Sequence, residues 1–293
     1  MASEHRGRTG VREVVSPSNV LVKVFRRALA EGVTREGWLA VEGPLLVEEA
    51  LATSSAASSN DIATGVNASA VLIRSLLVAS SAAGKFESLL ERLPRDAEVT
   101  EIPDRLFDQI AQTETPQGIA ALVELPSRHP DSVFAGPDAL AIVACGLQDP
   151  GNLGAMMRSA YALGGSALVT LPSTVSPFNP KAVRSSAGAV FRLPVFRGVD
   201  SPALVAQARA AGVRLVAAQR RAPQLVTEAD LRGPVAVLIG QEAAGLPREI
   251  AAQADVRVSI PLRSGADSLN AASAAGIVLY EAARQRGFRT LNA

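Results

Sequence analysis

The second half of the chain alternates apolar runs with segments of helical composition, and this alternation restricts the fold more than any other feature. Each apolar run has four to six residues, which is the usual length of a buried strand. Strands that alternate with helices in this way are typical of a parallel α/β sheet. We therefore predict an α/β fold with a parallel sheet, whose strands are residues 140–145, 167–171, 215–218, 235–239 and 256–260.

The first half is less regular and predicts a separate, smaller α/β domain over residues 11–127, preceded by a disordered basic tail at 1–10. Prolines and glycines concentrate around residues 125–137, so we place a linker at 128–137 and a second domain at 138–293. The expected strands are 38–41, 71–79 and 119–124, the expected helices are 19–30, 45–51 and 86–92, and 53–69 is expected to be a Ser- and Ala-rich loop.

Composition excludes several classes of protein. The 293 residues are 48% hydrophobic with a net charge of +1, so the chain has no global attraction to nucleic acid. Residues 1–30 carry six basic and two acidic side chains, which either follow a phosphate backbone or form a solvated face. One cysteine and two histidines predict no metal site. We see no secretory signal and no membrane-length apolar run, and expect a cytoplasmic protein.

Residues 149–159, DPGNLGAMMRS, lie between a predicted strand and a helix expected at 155–163. Ligands of parallel sheets bind at the carboxyl ends of strands. An amide, two glycines and an arginine near a helix start suit a phosphate or a ribose, although a glycine-rich turn with a solvated Arg158 would have the same sequence.

Two further loops follow predicted strands, at residues 240–246 and 260–270. Three such loops at one sheet edge predict a composite pocket of backbone groups and neutral side chains, which suits a nucleoside-like cofactor better than a metal. A Rossmann-type oxidoreductase is disfavoured because no G-x-G-x-x-G opens a helix. The last helix is expected to begin near Asp267 or Ser268, either of which can cap it, and to reach about Arg286.

In this order the three segments resemble the motifs of the SpoU (TrmH) family of RNA ribose 2′-O-methyltransferases, part of the SPOUT superfamily. One departure is Ala243, where many members carry glycine. The first half is similar to the L30e-like substrate-binding domain of many members, through Asn19 with Lys23, residues 41–43 and residues 113–119. The motif matches are Asp149, Pro150, Asn152, Gly154, Arg158 and Ser159, then Gly240, Glu242 and Gly245, then Ile260, Pro261, Ser268, Leu269 and Asn270.

The resemblance implies a deep trefoil knot, S-adenosylmethionine as cofactor, and a homodimer packed through the knot and the last helix, whose small residues at 272–276 fit such an interface. It implies an RNA substrate, with 23S ribosomal RNA favoured by the two-domain layout. Transfer RNA, or RNA binding without catalysis, are the alternatives. The implied residues are Asn152, Arg158, Glu242, Ser268 and Asn270 for catalysis, Gly240, Ile260 and Leu269 for the cofactor, and Arg12, Asn19, Lys23 and Arg158 for RNA.

The implied chemistry moves a methyl group from a sulfonium to a ribose 2′-hydroxyl, so the protein must position and deprotonate the alcohol. The resemblance assigns the base to Arg158. A guanidinium stays protonated at neutral pH, which leaves two interpretations open. Either an RNA phosphate helps Arg158 to act as the base, or Arg158 only holds that phosphate.

Overall fold

The computed structural model describes residues 11–56, 71–266 and 268–291. The expected tail at 1–10 and most of the expected loop at 53–69 therefore lie outside the described residues. The chain divides into two compact units, Met1–Ser127 and Arg128–Ala293, which are described separately.

The first unit is built on a five-stranded mixed sheet in the order β1-β4-β3-β5-β2. β1, β4 and β3 are parallel to one another, whereas β5 is antiparallel to both β3 and β2. The elements are β1 (Val11–Glu13), α1 (Val20–Glu31), β2 (Leu39–Glu42), α2 (Pro44–Ala56), β3 (Leu72–Ala79), α3 (Glu87–Glu91), β4 (Glu98–Ile102), α4 (Asp104–Asp108) and β5 (Ile119–Glu124).

Helix α1 shows how the sequence selects these elements. Its buried residues Val22, Phe25, Ala28 and Leu29 recur at helical spacing and form one face. Asn19 precedes the helix, and its side chain accepts a hydrogen bond from the Leu21 amide at 2.8 Å, as an N-cap does.

The second unit is built on a seven-stranded sheet in the order β10-β12-β9-β11-β6-β7-β8, in which every pair is parallel. The predicted α/β fold with a parallel sheet is confirmed, whereas the implied knot stays a prediction. The elements are β6 (Leu140–Cys145), α5 (Pro150–Ala162), β7 (Ala167–Thr170), α6 (Pro180–Ser185), α7 (Ala189–Arg192), β8 (Val195–Phe196), α8 (Ser201–Ala210), β9 (Arg214–Ala218), β10 (Gln224–Leu225), β11 (Val235–Gly240), α9 (Arg248–Ala252), β12 (Val256–Ser259) and α10 (Ala271–Gln285).

The centre of this sheet is formed by β6 and β11, the two most apolar strands. All six residues of β6 are buried, as expected of a strand covered on both faces. The segment 128–137, expected to be a linker, belongs to the second unit, where Val133 and Phe134 are buried in the core. The prolines and polar residues of this segment are typical of a linker, so its composition does not reveal that Val133 and Phe134 are buried.

The last helix, α10, begins later than predicted. Asn270, and not Ser268, is its N-cap, and Asn270 Oδ1 accepts from the Ala272 and Ser273 amides at 2.8 and 3.3 Å. Asp267 lies outside the described residues. At the other end, Arg286 donates to the carbonyl oxygens of Asp138 and Gly233 at 2.7 and 2.6 Å, which ties α10 to the segments before β6 and β11.

Candidate active site

A cavity of about 440 Å³ lies at the carboxyl ends of β9, β11 and β12. This is the edge of the sheet at which the sequence predicted a composite pocket. Its lining is Ala218, Gln219, Arg220, Arg221, Ile239, Gly240, Gln241, Glu242, Ala243, Ala244, Gly245, Leu246, Val258, Ile260, Leu262, Ser268, Leu269, Ala271 and Ala274.

The first motif, residues 149–159, is helical from Pro150 onward. The prediction of a turn followed by a helix at 155 was therefore wrong. Asp149 is the N-cap of α5, and Pro150 occupies the first turn, where its missing N–H costs nothing. Asp149 Oδ1 accepts from the Gly151 amide at 2.7 Å and pairs with Lys181 at 3.2 Å. The amide first, and then Lys181, lower the pKa of Asp149. A capping carboxylate thus accounts for the early start of the helix.

Gly154 serves helix packing. A Cβ at this position would lie 2.2 Å from the Ala182 carbonyl oxygen and 2.6 Å from Ser185 Cβ, both on α6. The absence of a side chain therefore lets α5 and α6 approach closely. This contact, and not room for a phosphate, is what the structure shows for the second glycine of the motif.

The three motifs meet in a cluster of hydrogen-bonded side chains. Asn152 Nδ2 donates to Glu242 Oε1, and Asn270 Nδ2 donates to Asn152 Oδ1 at 2.8 Å. Each residue comes from a different motif, so the cluster joins the start of α5, the loop after β11 and the start of α10. Both the amide oxygen and the amide nitrogen of Asn152 have a protein partner. The arrangement indicates that Asn152 and Glu242 position the loops around the cavity.

The loop after β11 is closed by its own backbone. Gln241 and Gly245 bond each other twice, at 3.1 and 2.8 Å, and Gly245 has a φ of 71°. A Cβ on Gly240 would lie 2.3 Å from the Gly245 carbonyl oxygen, so this turn requires glycine at 240. Ala243 is exposed and is not among the non-glycine residues with positive φ, so its departure from the family pattern is compatible with the turn.

All three residues that the resemblance assigns to the cofactor, Gly240, Ile260 and Leu269, line the cavity. Ser268 also lines it, is exposed, and has no hydrogen-bond partner within the described ranges. Sequence reasoning missed Arg220, which lines the cavity and donates to the Glu242 carbonyl oxygen at 2.6 Å. No motif marks Arg220, because the loop after β9 carries none of the three signatures.

Arg158 lies apart from the Asn152 cluster. Six residues along α5 correspond to a rotation of about 120° around the helix, so Arg158 and Asn152 face different sides. Arg158 is exposed, does not line the cavity, and makes no hydrogen bond or ion pair with the rest of the described chain. The single chain therefore does not bring the two side chains together, and a shared RNA ligand for Asn152 and Arg158 stays a prediction.

The residues assigned to RNA in the first unit have different local roles. Arg12 and Lys23 are exposed, on β1 and α1. Asn19 uses its side-chain oxygen to cap α1. The other two segments of the resemblance, residues 41–43 and 113–119, lie in contact. Buried Glu42 accepts hydrogen bonds from Thr113 Oγ1 and, at 2.7 Å, from the amide of the preceding Gln112.

The small residues of α10 pack within the chain. Ala272 and Ala275 are buried, and the space beside Gly276 faces Ser159 Oγ on α5. The small residues at 272, 275 and 276 therefore make an internal helix contact, and the dimer interface that the resemblance implies for 272–276 stays a prediction. The exposed face of α10 carries Ile277 and Tyr280, which are 38% and 53% exposed.

Several classes of site are absent from the part of the chain that the structure describes. Those residues contain no cluster of three or more histidine, cysteine, aspartate or glutamate side chains suited to a metal ion. They also contain no helix that is both long and apolar enough to span a membrane. Cys145 is buried in β6, and this burial raises its thiol pKa to about 12.

Comparison with known proteins assigns the family. Residues 139–280 match the SpoU rRNA Methylase family. A protein of Streptomyces viridochromogenes named 23S rRNA (uridine(2479)-2′-O)-methyltransferase is 38% identical over 208 residues, which are 69% of this chain and 72% of that protein. The chain belongs to the SpoU methylase family. A relative over nearly the whole length is named an uncharacterized tRNA/rRNA methyltransferase of Synechocystis; it is 30% identical, and the match covers 94% of this chain and 95% of that protein.

Solved methyltransferase structures match more than nine tenths of this chain. An AdoMet-bound rRNA methyltransferase from Sinorhizobium meliloti has a TM-score of 0.78 and 30% identity, covering 94% of this chain and 98% of that one. The SpoU methyltransferase AviRb from Streptomyces viridochromogenes, in complex with AdoMet, has a TM-score of 0.76 and 31% identity, covering 92% and 98%.

Proposed function

We propose that this SpoU-family chain is an S-adenosylmethionine-dependent ribose 2′-O-methyltransferase that acts on 23S ribosomal RNA. The observation that carries the proposal is the cavity bounded by the loops of motifs two and three and fixed to motif one through Asn152, Glu242 and Asn270. The relative named as a 23S rRNA 2′-O-methyltransferase and the AdoMet-bound relatives support the substrate and the cofactor.

The lining of the cavity fits S-adenosylmethionine. Its volume of about 440 Å³ lies within the usual range for small-molecule sites. Apolar side chains such as Ile239, Val258 and Leu269 suit an adenine, while the backbone of the loop after β11 offers polar groups. Glu242, whose carboxylate is the only one among the described lining residues, is already hydrogen-bonded. When bound, this cofactor supplies a methyl group activated by a sulfonium charge.

The chain's own residues would then position the RNA. Exposed Arg158, with no partner in the described chain, is suited to an RNA phosphate through charge-assisted hydrogen bonds. The Ser268 hydroxyl lies at the cavity without a hydrogen-bond partner among the described residues and is suited to orient the ribose hydroxyl. Arg158 acts either as the phosphate contact alone or also as the base. Its position outside the cavity favours the phosphate contact.

We further propose that the first unit is an L30e-like RNA-recognition domain and that Arg12 and Lys23 contact the phosphate backbone. Both side chains are exposed cations. Asn19 caps α1, so its contribution to RNA binding would be to hold the helix that carries Lys23. The trefoil knot of the second unit and a cytoplasmic location belong to the same proposal.

The proposed homodimer would use the exposed face of α10. Ile277 and Tyr280 are large side chains that remain 38% and 53% exposed, although Tyr280 packs against Phe288, and such exposed apolar groups suit a second copy. Light scattering should give twice the 30.3 kDa mass of the chain, and Ile277→Asp should give the single mass. A wild-type monomer at micromolar concentration would contradict the dimer.

The substrate is tested by mapping ribose methylation in cellular RNA from a strain without this gene. We expect one position of 23S ribosomal RNA to lose its methyl group. A loss in transfer RNA would replace the substrate assignment, and an unchanged profile would overturn it. Calorimetry with S-adenosylmethionine separates the remaining alternative, because an RNA-binding protein without catalysis would show no heat of binding at millimolar cofactor.

A further inference from the structure

The described lining of the cavity carries more positive than negative side chains. Among the described residues, three charged side chains line it, Arg220, Arg221 and Glu242. Arg220 donates to the Glu242 backbone carbonyl at 2.6 Å, and the Glu242 carboxylate accepts from Asn152. Arg221 is exposed and has neither a hydrogen bond nor an ion pair within the described part of the chain. Among the described side chains of the cavity, Arg221 is therefore the positive charge without a partner.

The segment that carries Arg221 is held in place on both sides. The Gln219 amide donates to the Val258 carbonyl and the Val226 amide donates to the Ser259 carbonyl, each at 2.9 Å, so both ends are fastened to β12. Between them, Arg220 reaches the loop after β11. The backbone next to Arg221 is thus fixed at the cavity before a ligand arrives, which reduces the entropy lost on binding.

An unpartnered guanidinium is complementary to an anionic group of the ligand. S-adenosylmethionine has two cationic groups, the sulfonium and the ammonium, and one anionic group, the α-carboxylate. We propose that Arg221 binds this carboxylate and so recognises the amino-acid end of the cofactor. The proposal rests on the proposed function, because it takes S-adenosylmethionine as the ligand of the cavity.

The test compares two ligands that differ only in the carboxylate. Calorimetry on the full chain would measure the Kd of S-adenosylmethionine and of decarboxylated S-adenosylmethionine, for wild type and for Arg221→Ala. We expect Arg221→Ala to raise the Kd of S-adenosylmethionine by about tenfold, the lower end for a charge-assisted hydrogen bond, because the side chain is exposed. The Kd of the decarboxylated ligand should not change, and Arg221→Lys should restore part of the lost affinity.

A matched control is Arg209→Ala, which removes an exposed arginine of α8 that is bonded to Gln253 and does not line this cavity. It should leave both Kd values unchanged. If Arg221→Ala weakened both ligands equally, Arg221 would shape the cavity and the proposal would be overturned. If it changed neither Kd but raised the KM for RNA, Arg221 would contact an RNA phosphate instead. Absence of any cofactor binding by wild type would overturn the proposed function itself, which is a different result.

Discussion

Replacing Gly154 by alanine tests whether this motif glycine serves helix packing. The added Cβ would lie 2.2 Å from the Ala182 carbonyl oxygen and 2.6 Å from Ser185 Cβ. Non-bonded carbon atoms attract best at about 3.5–4.0 Å, so α5 and α6 would have to separate by about 1 Å. The nearest atom belongs to the backbone, and no side-chain rotation can relieve the overlap.

Two opposing effects set the size of the change. Overpacking of a buried contact costs about 1–3 kcal/mol, and a clash with backbone belongs in the upper half of that range. Alanine stabilises a helix relative to glycine by about 1 kcal/mol. We therefore expect a net loss of about 1–2 kcal/mol. For a protein of this size each kcal/mol lowers Tm by about 2–4 °C, so Tm should fall by about 2–8 °C.

Thermal unfolding followed by circular dichroism measures this change, and Gly276→Ala is the matched control. Gly276 is also helical, but its added Cβ would meet only Ser159 Oγ, at 3.7 Å, which is an ordinary contact. Gly276→Ala should therefore leave Tm unchanged or raise it. A Gly154→Ala variant as stable as wild type, or shifted in the same direction as Gly276→Ala, would refute the packing argument.

Three further predictions follow from single side chains. Arg158→Ala should abolish methyl transfer while changing the calorimetric Kd of S-adenosylmethionine less than about twofold, since Arg158 does not line the cavity; loss of cofactor binding would make Arg158 a structural residue. Cys145 should not react with Ellman's reagent at pH 8 until the protein is unfolded, because burial raises its pKa to about 12; labelling of the native protein would contradict this. The hydrogen bond from Arg284 lowers the pKa of buried Glu281 below its model-compound value of 4.5, so its stabilisation is present above that pH and is lost as pH falls through the folded-state pKa. Glu281→Gln should thus lower the free energy of unfolding by about 1 kcal/mol at neutral pH, and the difference from wild type should close as pH falls below the lowered folded-state pKa of Glu281; a difference independent of pH would count against it.

Most strands were predictable from the sequence, but β4 inside the first sheet and the shortest edge strands were not. The runs at 119–124 and 140–145 coincide with β5 and β6, because residues enclosed on both faces must be apolar. The short edge strands β1, β8 and β10 have two or three residues each, too few for any periodicity. Their pairing depends on the neighbouring strand, which local sequence does not reveal.

The first residues of the helices at the site were also hard to predict from the sequence. Asp149 and Asn270 cap α5 and α10, although the sequence offers other residues able to cap nearby, such as Ser268. Asn270 also bonds Asn152, a contact between distant parts of the chain. Tertiary contacts of this kind select one cap among several. Motif order predicted that the three loops would meet, but the direction of Arg158 depends on where α5 begins.

The central claim is most directly tested by methyl transfer to RNA in vitro. The purified chain would be incubated with S-adenosylmethionine labelled in its methyl group and with unmodified 23S ribosomal RNA, and the product digested with alkali. A 2′-O-methyl group blocks cleavage at its own nucleotide, so the account predicts that the label appears in an alkali-stable dinucleotide. Label recovered in mononucleotides, as base methylation would give, or no label in the RNA at all, would contradict it.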